Sequence, residues 1–433
     1  MKSIHLKINQ EAIVPSSQKT AYRSIFIIGV LFFIFGFLTW LNGTLIPFLK
    51  LACQLDNDVQ AFFVTFSFYM AYFFLALPSA YLIKRTGYKR GMSLGLFIMA
   101  IGSAIFIPAA QSRMFSLFLT GLFVQGMGLA LLQTASNPYI TILGPFESAA
   151  KRISIMGICN KVAGMISPLI LGALILKNAT ALETRINNAS NAAEKESLLS
   201  ALATRVITPY TIITTILLLL ALMIWLSPLP EVDVDKEKPL RLGQKEKLNI
   251  FQFPHLQLGV LCIFLYVGVE VMAGDAIGTY GKTQGLPLDV TKYFTFFTLA
   301  SMLVGYIAGI FTIPRIISQQ TGLKLSALLG ILFSTAVFLT HGYTSIVFIA
   351  LLGLANALMW PAIFPLALSG LGRFTKTGSA LLVMGIAGGA ILPLIYSSLK
   401  DKWHVSNNLS FFVCMLPCYL YILYYAVRGY KAD

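Results

Sequence analysis

The hydrophobic positions of the chain fall into twelve long runs separated by polar stretches. A helix that crosses a bilayer needs about 20 apolar residues, and these runs are near that length. They do not alternate apolar with polar residues as the strands of a membrane barrel do, and helices satisfy their own backbone hydrogen bonds in hydrocarbon. The pattern predicts an all-α polytopic membrane protein whose transmembrane helices lie at residues 24–49, 59–83, 91–109, 114–143, 153–176, 208–227, 255–281, 291–316, 324–340, 344–372, 376–400 and 406–428.

The composition supports this prediction. Of the 433 residues, 57% are hydrophobic and 11% are charged, whereas a soluble chain has about 25% charged residues. Several runs exceed 25 residues, so we expect tilted or kinked helices. The polar tail before the first run is followed by no convincing small-residue cleavage site, so we expect no signal peptide.

One charged segment divides the twelve runs into six and six. Residues 229–254 are the densest charged stretch of the chain. The two halves also resemble each other, because "YLIKRTGYKRG" follows the second run and "RIISQQTGLKL" follows the eighth. We therefore predict an N-terminal six-helix bundle at 1–228, a cytoplasmic linker at 229–254 and a C-terminal six-helix bundle at 255–433.

The lysines and arginines predict the orientation, because cytoplasmic loops are enriched in them. With both termini in the cytoplasm, the inner turns hold more basic residues than the outer loops. Several outer basic residues are also matched by acids such as Glu183 and Asp289. The net charge of +15 then reflects topology and affinity for anionic lipid. We expect a monomer in the cytoplasmic (inner) membrane and no nucleic-acid partner. The inner basic residues are Lys84, Arg85, Lys89, Arg90, Lys151, Arg152, Arg315, Lys324, Arg373, Lys376, Arg428 and Lys431.

Two of these basic turns are candidates for a gate. They lie at 84–90 and 315–324, at matching places in the two halves, and we predict that they clamp the cytoplasmic side in one state. The alternative is that they only set topology. The gating residues of this prediction are Lys84, Arg85, Lys89, Arg90, Arg315 and Lys324.

The sequence gives little support to an enzyme or a metal protein. The four histidines lie in the tail or near the ends of runs, and neither H-E-x-x-H nor G-x-S-x-G is present. The five cysteines are spaced neither as a disulfide framework nor as a zinc site. We therefore predict no catalytic activity and no cofactor other than a coupling Na⁺ or H⁺.

The fourth run carries polar amides beside a proline. Gln133 and Asn137 are four residues apart and share a helix face, and Pro138 removes one backbone donor. The tenth run has Asn356 four residues before Trp360, which is followed by proline. Interrupted segments at matching places in two halves point to a transporter's binding site. The alternative is that the amides only tie helices together.

Three charged residues lie deep within the runs. They are Lys161 in the fifth run and Glu270 and Asp275 in the seventh. A charge at the bilayer centre costs about 2.5–3.5 kcal/mol on insertion scales, so such residues are functional candidates. Tyr266 lies four residues before Glu270 and shares its face. The alternative is a structural ion pair between the fifth and seventh spans.

Two tryptophans within runs are candidates to contact a sugar. Trp40 and Trp360 lie near Asn42 and Asn356. An indole can cover the apolar face of a pyranose ring while its N–H donates a hydrogen bond. Trp360 is the better candidate of the two.

Four segments carry a family resemblance: "LNGTLIPFLK", "LLQTASNPYITILGP", "YVGVEV" and "WPAIFPLALSGLGRFTKTGSALLVMGIAGGAILP". Together they resemble the fucose–galactose–glucose branch of the major facilitator superfamily, and most of all its bacterial glucose/galactose permeases; they are also similar to L-fucose permease. The resemblance implies the major facilitator fold, with two six-helix bundles, and sugar transport by alternating access. Coupling in this family is to protons or sodium.

The chain departs from these relatives at the residues expected to couple ions. Gly43 stands where they have aspartate, and Gln133 stands where L-fucose permease has glutamate. Lys161 replaces a small polar residue and Asp275 replaces a serine, whereas Asn160 matches. The resemblance therefore does not carry over the proton mechanism of L-fucose permease. Lys161 pairing with Glu270 or Asp275 is our expected substitute for a bound cation.

The sequence thus predicts a transporter of a small neutral hexose, glucose- or galactose-like, coupled to sodium or protons. An uncoupled uniporter in which Lys161 replaces the ion, a sugar sensor and a drug or lipid exporter are the alternatives. The exporter is disfavoured because the predicted site collects amides. The ion-coupling candidates are Lys161, Glu270 and Asp275. The predicted substrate-binding residues are Asn42, Gln133, Asn137, Asn160, Tyr266, Glu270, Asn356 and Trp360.

Overall fold

Two sets of six membrane-spanning segments make up the fold. The structure is a computed structural model that describes residues 18–142, 149–227, 229, 249–313 and 315–431. Within these residues, twelve helical segments are long and apolar enough to cross a membrane, which confirms the predicted count. The helices of the first half are α1 (Gln18–Thr39), α2 (Asn42–Ala52), α3 (Asp58–Thr86), α4 (Tyr88–Ser112), α5 (Phe115–Ile142), α6 (Ala149–Ile175), α7 (Ala179–Asn187), α8 (Ala192–Thr204) and α9 (Ile207–Leu226).

The second half repeats this arrangement with more interruptions. Its helices are α10 (Pro254–Gly274), α11 (Ile277–Thr283), α12 (Leu288–Thr291), α13 (Phe294–Thr312), α14 (Gln319–Leu339), α15 (Gly342–Asn356), α16 (Met359–Leu368), α17 (Thr375–Met384), α18 (Gly388–Asp401) and α19 (Asn407–Tyr424). The boundary between the halves stays a prediction, because most of the linker at 229–254 lies outside the described residues.

The chain order defines two ends of the molecule. We call the end with the α3–α4 turn, the end of α9 and the start of α10 the linker end. We call the end with the α2–α3, α4–α5 and α18–α19 loops the distal end. The short helices α7 and α8 lie at the distal end, before the sixth span. The hydropathy pattern did not predict them, because their polar and apolar residues are too mixed to resemble a span.

The helix breaks differ from those predicted. The fourth span, α5, continues unbroken through Pro138, since proline removes only one donor and the surrounding bundle holds the helix. The tenth span does break, between α15 and α16. The matching breaks are instead in the first span, between α1 and α2, and in the predicted seventh span, between α10 and α11.

Glycines bring the first and fifth spans of each half into backbone contact. A Cβ built on Gly36 in α1 would lie 1.9 Å from the carbonyl oxygen of Asn160 in α6. A Cβ on Gly388 in α18 would lie 1.7 Å from the carbonyl oxygen of Phe264 in α10. No side chain fits at either place, so each half is tightly joined within itself. Between the halves, α3 packs against α17 and α18, and α6 packs against α13.

Candidate substrate cavity

A cavity lies between the two halves, roughly midway along the spans. Its volume is about 110 Å³, below the roughly 300–1,000 Å³ of pockets that hold a ligand, so the cavity is narrow in this conformation. Helices of both halves contribute to its wall. The predicted residues that line it are Gln133, Asn137, Asn160, Lys161, Tyr266, Glu270 and Trp360, together with Trp40.

The amides come from α5 and α6. Gln133 and Asn137 both face the cavity, as their four-residue spacing predicted, because α5 is unbroken between them. The Gln133 Nε2 atom donates to the Tyr72 hydroxyl at 3.1 Å. The Asn160 Nδ2 atom donates to the Phe32 carbonyl oxygen at 3.4 Å, a long bond. Both bonds use the amide nitrogen, so the side-chain oxygens of Gln133 and Asn160 can accept hydrogen bonds from a ligand with hydroxyl groups.

A buried ion pair joins the halves across the cavity. The Lys161 ammonium on α6 donates to Glu270 Oε1 on α10 at 2.8 Å, and the two side chains are only 7% and 11% exposed. The ammonium also lies 4.5 Å from the centre of the Trp40 ring, a cation–π distance. Of the two partners that the sequence allowed for Lys161, the structure pairs it with Glu270.

Aromatic rings form the apolar part of the wall. The Trp360 ring lies 6.4 Å from the Tyr266 ring and stacks on Phe364 at 5.3 Å. Tyr266 lies beside Glu270, which agrees with their predicted shared face. A half-buried indole in the same wall as the amides suits a ring that is apolar on its faces and polar at its rim.

Three predicted residues lie outside the cavity lining. Asn356 is fully buried and accepts a hydrogen bond from the Tyr419 hydroxyl at 2.9 Å. It does not share a face with Trp360, because the break between α15 and α16 falls between them and the helical spacing fails. Asn42 and Asp275 are buried nearer the distal end, at the breaks of the first and seventh spans.

The basic turns at the linker end do not form a clamp in this conformation. The Arg85 guanidinium lies over the Tyr81 ring, and Arg90 lies over the Trp225 ring, so both stay within their own half. Among the described contacts, none joins either turn to the other half. Lys84, Arg315 and Lys324 are exposed, and Lys89 is half-buried. The predicted gate therefore remains a prediction about another state, and the side chains of Lys151 and Arg373 lie outside the described residues.

The distal end is sealed by contacts that the sequence did not predict. Asp401 Oδ2 accepts from the backbone N–H groups of Asp58 and Val59 at 2.8 and 3.2 Å. Asp289 accepts from the N–H groups of Ala179 and Thr180, each at 3.1 Å. Both carboxylates belong to the second half and both helix starts to the first. Negative charge is favourable at a helix N-terminus, so these caps hold the halves together.

Ion pairs reinforce the seal. Lys50 and Lys400, from opposite halves, both pair with the buried Asp58. Lys282 pairs with Glu183 of the other half at 2.5 Å. Lys292 donates to the Leu176 carbonyl oxygen at 2.8 Å. The cavity is therefore closed from the distal side.

Sequence reasoning missed the tyrosines of the cavity. Tyr69, Tyr72 and Tyr306 line it, and Tyr72 directly holds Gln133. The chain has 18 tyrosines, and these three stand in apolar runs without a neighbouring amide or charge. Among the described residues, no cluster of His, Cys, Asp and Glu has the geometry to hold a metal ion.

Comparison with known proteins gives the family. Residues 28–394 match the Major Facilitator Superfamily. The chain belongs to this superfamily. Among superfamily members, a "Glucose/galactose transporter" of Brucella abortus is 36% identical over 421 residues, which cover 96% of each chain. The "L-fucose-proton symporter" of Escherichia coli is 29% identical over 375 residues, 86% of this chain and 85% of that protein.

A solved structure of the superfamily supports the fold. The transporter FucP, crystallised in the outward conformation, superposes with a TM-score of 0.76 at 28% identity. The match covers 96% of this chain and 100% of the FucP chain. The predicted fold of two six-helix bundles is confirmed.

Proposed function

We propose that the protein is a hexose transporter of the cytoplasmic membrane that works by alternating access. The observation that carries the proposal is the composition of the cavity wall. Three amides, several tyrosine hydroxyls and two indoles surround a lysine and a glutamate that neutralise each other. Amides both donate and accept hydrogen bonds, so this wall suits an uncharged ligand rich in hydroxyl groups. The names of the relatives, which include glucose, galactose and fucose, support the same class.

The distribution of charge supports one orientation in the membrane. At the distal end, Lys50, Lys282, Lys292 and Lys400 are paired with acids. Other distal basic residues, such as Lys177 and Lys402, are exposed and in no described ion pair, but several acids lie at the same end. At the linker end, the described segments hold exposed basic residues such as Lys84 and Lys324 and no aspartate or glutamate. Unbalanced positive charge belongs on the cytoplasmic side, so we assign the linker end and both termini to the cytoplasm. The sealed distal end then faces outward.

Transport would proceed by opening the distal end while the linker end is closed, and then the reverse. A hexose enters from outside when the distal contacts are open, and it bridges the amides of the first half and the Tyr266–Glu270–Trp360 wall of the second. Closing the distal end encloses the sugar, and opening the linker end releases it. The two halves meet along α3, α17 and α18 on one flank of the cavity and along α6 and α13 on the other. When the halves rock about the cavity, the distal end and the linker end therefore open in turn.

Symport with a cation is the first proposal for coupling, and uniport is the second. Uniport is favoured by one observation: the Lys161 ammonium already occupies the cavity as a fixed cation beside Glu270. Symport is favoured by a further acid, Asp275, which Lys161 does not neutralise. We propose no other cofactor, and we propose that the monomer is the working unit.

The direct test is counterflow in proteoliposomes with a panel of labelled hexoses. We expect saturable exchange of glucose, galactose or fucose, and none of a cationic drug. Repeating uptake with an imposed sodium or proton gradient separates symport from uniport. A purified protein that binds hexoses but exchanges none of them would be a sensor and would contradict the proposal.

A further inference from the structure

Asp275 occupies the break between α10 and α11, where its side chain is only 1% exposed. The Gly43 backbone N–H is directed at its carboxylate. Even so, neither oxygen meets hydrogen-bond geometry with any donor in the described part of the chain. A buried carboxylate whose oxygens lack well-formed hydrogen bonds is strongly destabilised in its ionised form. It therefore needs a cation in this state.

The break of the first span meets this carboxylate from the other half. A Cβ built on Gly43 would lie 3.3 Å from Asp275 Oδ1. A Cβ on Gly274 would lie 2.2 Å from the Trp40 ring. The two broken spans are therefore in close contact, with Gly43 against Asp275 and Trp40 against Gly274. Discontinuous helices are places where transporters hold ions, because helix ends leave polar backbone groups free.

Further polar atoms at the same break are buried and unpaired. They are the Trp40 Nε1 atom, both amide atoms of Asn42 and the Thr44 hydroxyl, within the described structure. Buried polar groups nearly always have partners. The Trp40 and Asn42 N–H groups can only donate, whereas the Asn42 Oδ1 atom and the Thr44 hydroxyl oxygen are acceptors. These two oxygens, beside the Asp275 carboxylate, are of the kind that a cation site uses.

The charges around Asp275 leave one negative charge unbalanced. Lys161 on α6 attracts Asp275 but is already paired with Glu270 on α10, which repels a second carboxylate. From α3 the neighbouring titratable group is Tyr69. From α13 the Thr295 hydroxyl donates to the Gly274 carbonyl oxygen at 2.8 Å and so is not offered to Asp275. From α2, Gly43 faces it, and the uncharged side chains of Asn42 and Thr44 lie at the same break. One monovalent cation would make the group neutral.

We propose that Asp275 is the cation-binding residue of this transporter, taking up one monovalent cation, a proton or Na⁺, before the distal end closes. The inference rests on the proposed transport function. When the distal end opens, α2 separates from α11 and water reaches the carboxylate, which loads from outside. Closing buries Asp275 only in its neutralised form, so the sealed state forms with the cation bound. The Lys161–Glu270 pair is then the fixed part of the site and Asp275 the exchangeable part.

The test compares two assays on the same proteoliposomes. Hexose counterflow needs no gradient, whereas accumulation needs an imposed proton or sodium gradient. We expect the parent to do both, and Asp275→Asn, which mimics the neutral form, to keep counterflow while its accumulation falls by about tenfold or more, the scale of a coupling free energy. Asp56→Asn, the same change at an exposed acid of the distal end, should behave as the parent. The gradient that drives the parent identifies the cation.

The outcomes separate this inference from the proposed function. A parent without counterflow of any hexose contradicts the transport function itself. A parent that exchanges hexose but accumulates it with neither gradient overturns the role of Asp275 and favours uniport. An Asp275→Asn variant that accumulates hexose like the parent also overturns it.

A second variant covers the case in which Asp275→Asn does not fold. Gly43→Asp combined with Asp275→Ala moves the carboxylate to the facing helix. The new Cβ would lie 3.3 Å from the position of Asp275 Oδ1, and the Thr295 hydroxyl, 2.6 Å away, has to rotate to admit it. We expect the double variant to accumulate hexose with the same ion as the parent, whereas Asp275→Ala alone does not. A double variant that elutes as a single species and exchanges hexose but never accumulates it would overturn the proposal.

Discussion

The Lys161 ammonium and the Glu270 carboxylate are 2.8 Å apart and come from opposite halves of the molecule. Both are buried in the wall of the cavity, with the Trp40 ring covering the ammonium. Any movement that separates α6 from α10 must break or rearrange this pair. It is therefore a direct energetic link between the cavity contents and the relative position of the halves.

Removing one charge of the pair should lower the free energy of unfolding. Lys161→Met leaves Glu270 buried and unpaired, which destabilises by about 3–5 kcal/mol in comparable cases. We expect a large fall in the thermal unfolding temperature in detergent. The double variant Lys161→Met/Glu270→Gln should recover most of the loss, since neither charge is left alone. If the losses of Lys161→Met and Glu270→Gln simply add in the double variant, the pair contributes no coupling.

The same position tests the role of Lys161 in ion coupling. We expect Lys161→Ala to accumulate hexose poorly under an imposed gradient, because Glu270 then competes for the cation. If the parent and the variant accumulate sugar equally well with the same ion, Lys161 has only a structural role.

The amides should determine the affinity for sugar. Replacing Gln133 or Asn160 with alanine removes a hydrogen bond that the sugar makes, and we expect binding weaker by about tenfold, equivalent to 1.4 kcal/mol. Calorimetric titration with the transported hexose measures this. Gln125→Ala is the matched control, because Gln125 is a buried amide of the same helix that donates to Ser103 and lies outside the cavity. Equal losses in Gln125→Ala would mean that the effect is on folding.

The position of Trp40 should depend on a glycine of the other half. In Gly274→Ala the new Cβ would lie 2.2 Å from the indole, and such overpacking costs about 1–3 kcal/mol. We expect the ring to move off the Lys161 ammonium and hexose exchange to slow. Gly29→Ala, whose Cβ would have its nearest neighbours at 3.8 Å, should leave exchange unchanged. Slow exchange in both variants would point to a general effect of added methyl groups.

The aspartate caps should hold the distal end closed. Asp401→Ala removes the acceptor for two N–H groups of α3, and the loss of a cap costs about 1–2 kcal/mol. We expect the open population to rise severalfold. Spin labels at Gln54→Cys and Lys402→Cys, both exposed positions, in a background without the native cysteines, should report longer distances in the variant. Unchanged distances would mean that the remaining ion pairs suffice.

The sequence was informative where a property is local. Apolar runs located the twelve spans, and the spacing of Gln133 and Asn137 predicted their shared face because α5 is regular between them. The same spacing failed for Asn356 and Trp360, since a break falls between them and the nearest prolines come only after Trp360.

Contacts between distant residues left no such signal. Asp401 caps a helix that begins 343 residues earlier, and nothing around either residue indicates the other. Tyr72 holds Gln133 from a different span, and only the packing of α3 against α5 brings them together. The facing of Gly43 and Asp275 likewise became visible only once the two broken spans were placed side by side.

The backbone contact at Gly36 limits which substitutions could change the sugar that this protein transports. Gly36 presses on the carbonyl of Asn160, so the height and tilt at which α6 presents Asn160 and Lys161 are fixed by a residue that never meets the sugar. A methyl group at position 36 would push α6 outward and change the spacing between the amides of α5 and α6. A selection for growth on a new sugar should therefore recover substitutions in the cavity wall and none at Gly36, because a side chain there would disrupt the contact that positions α6.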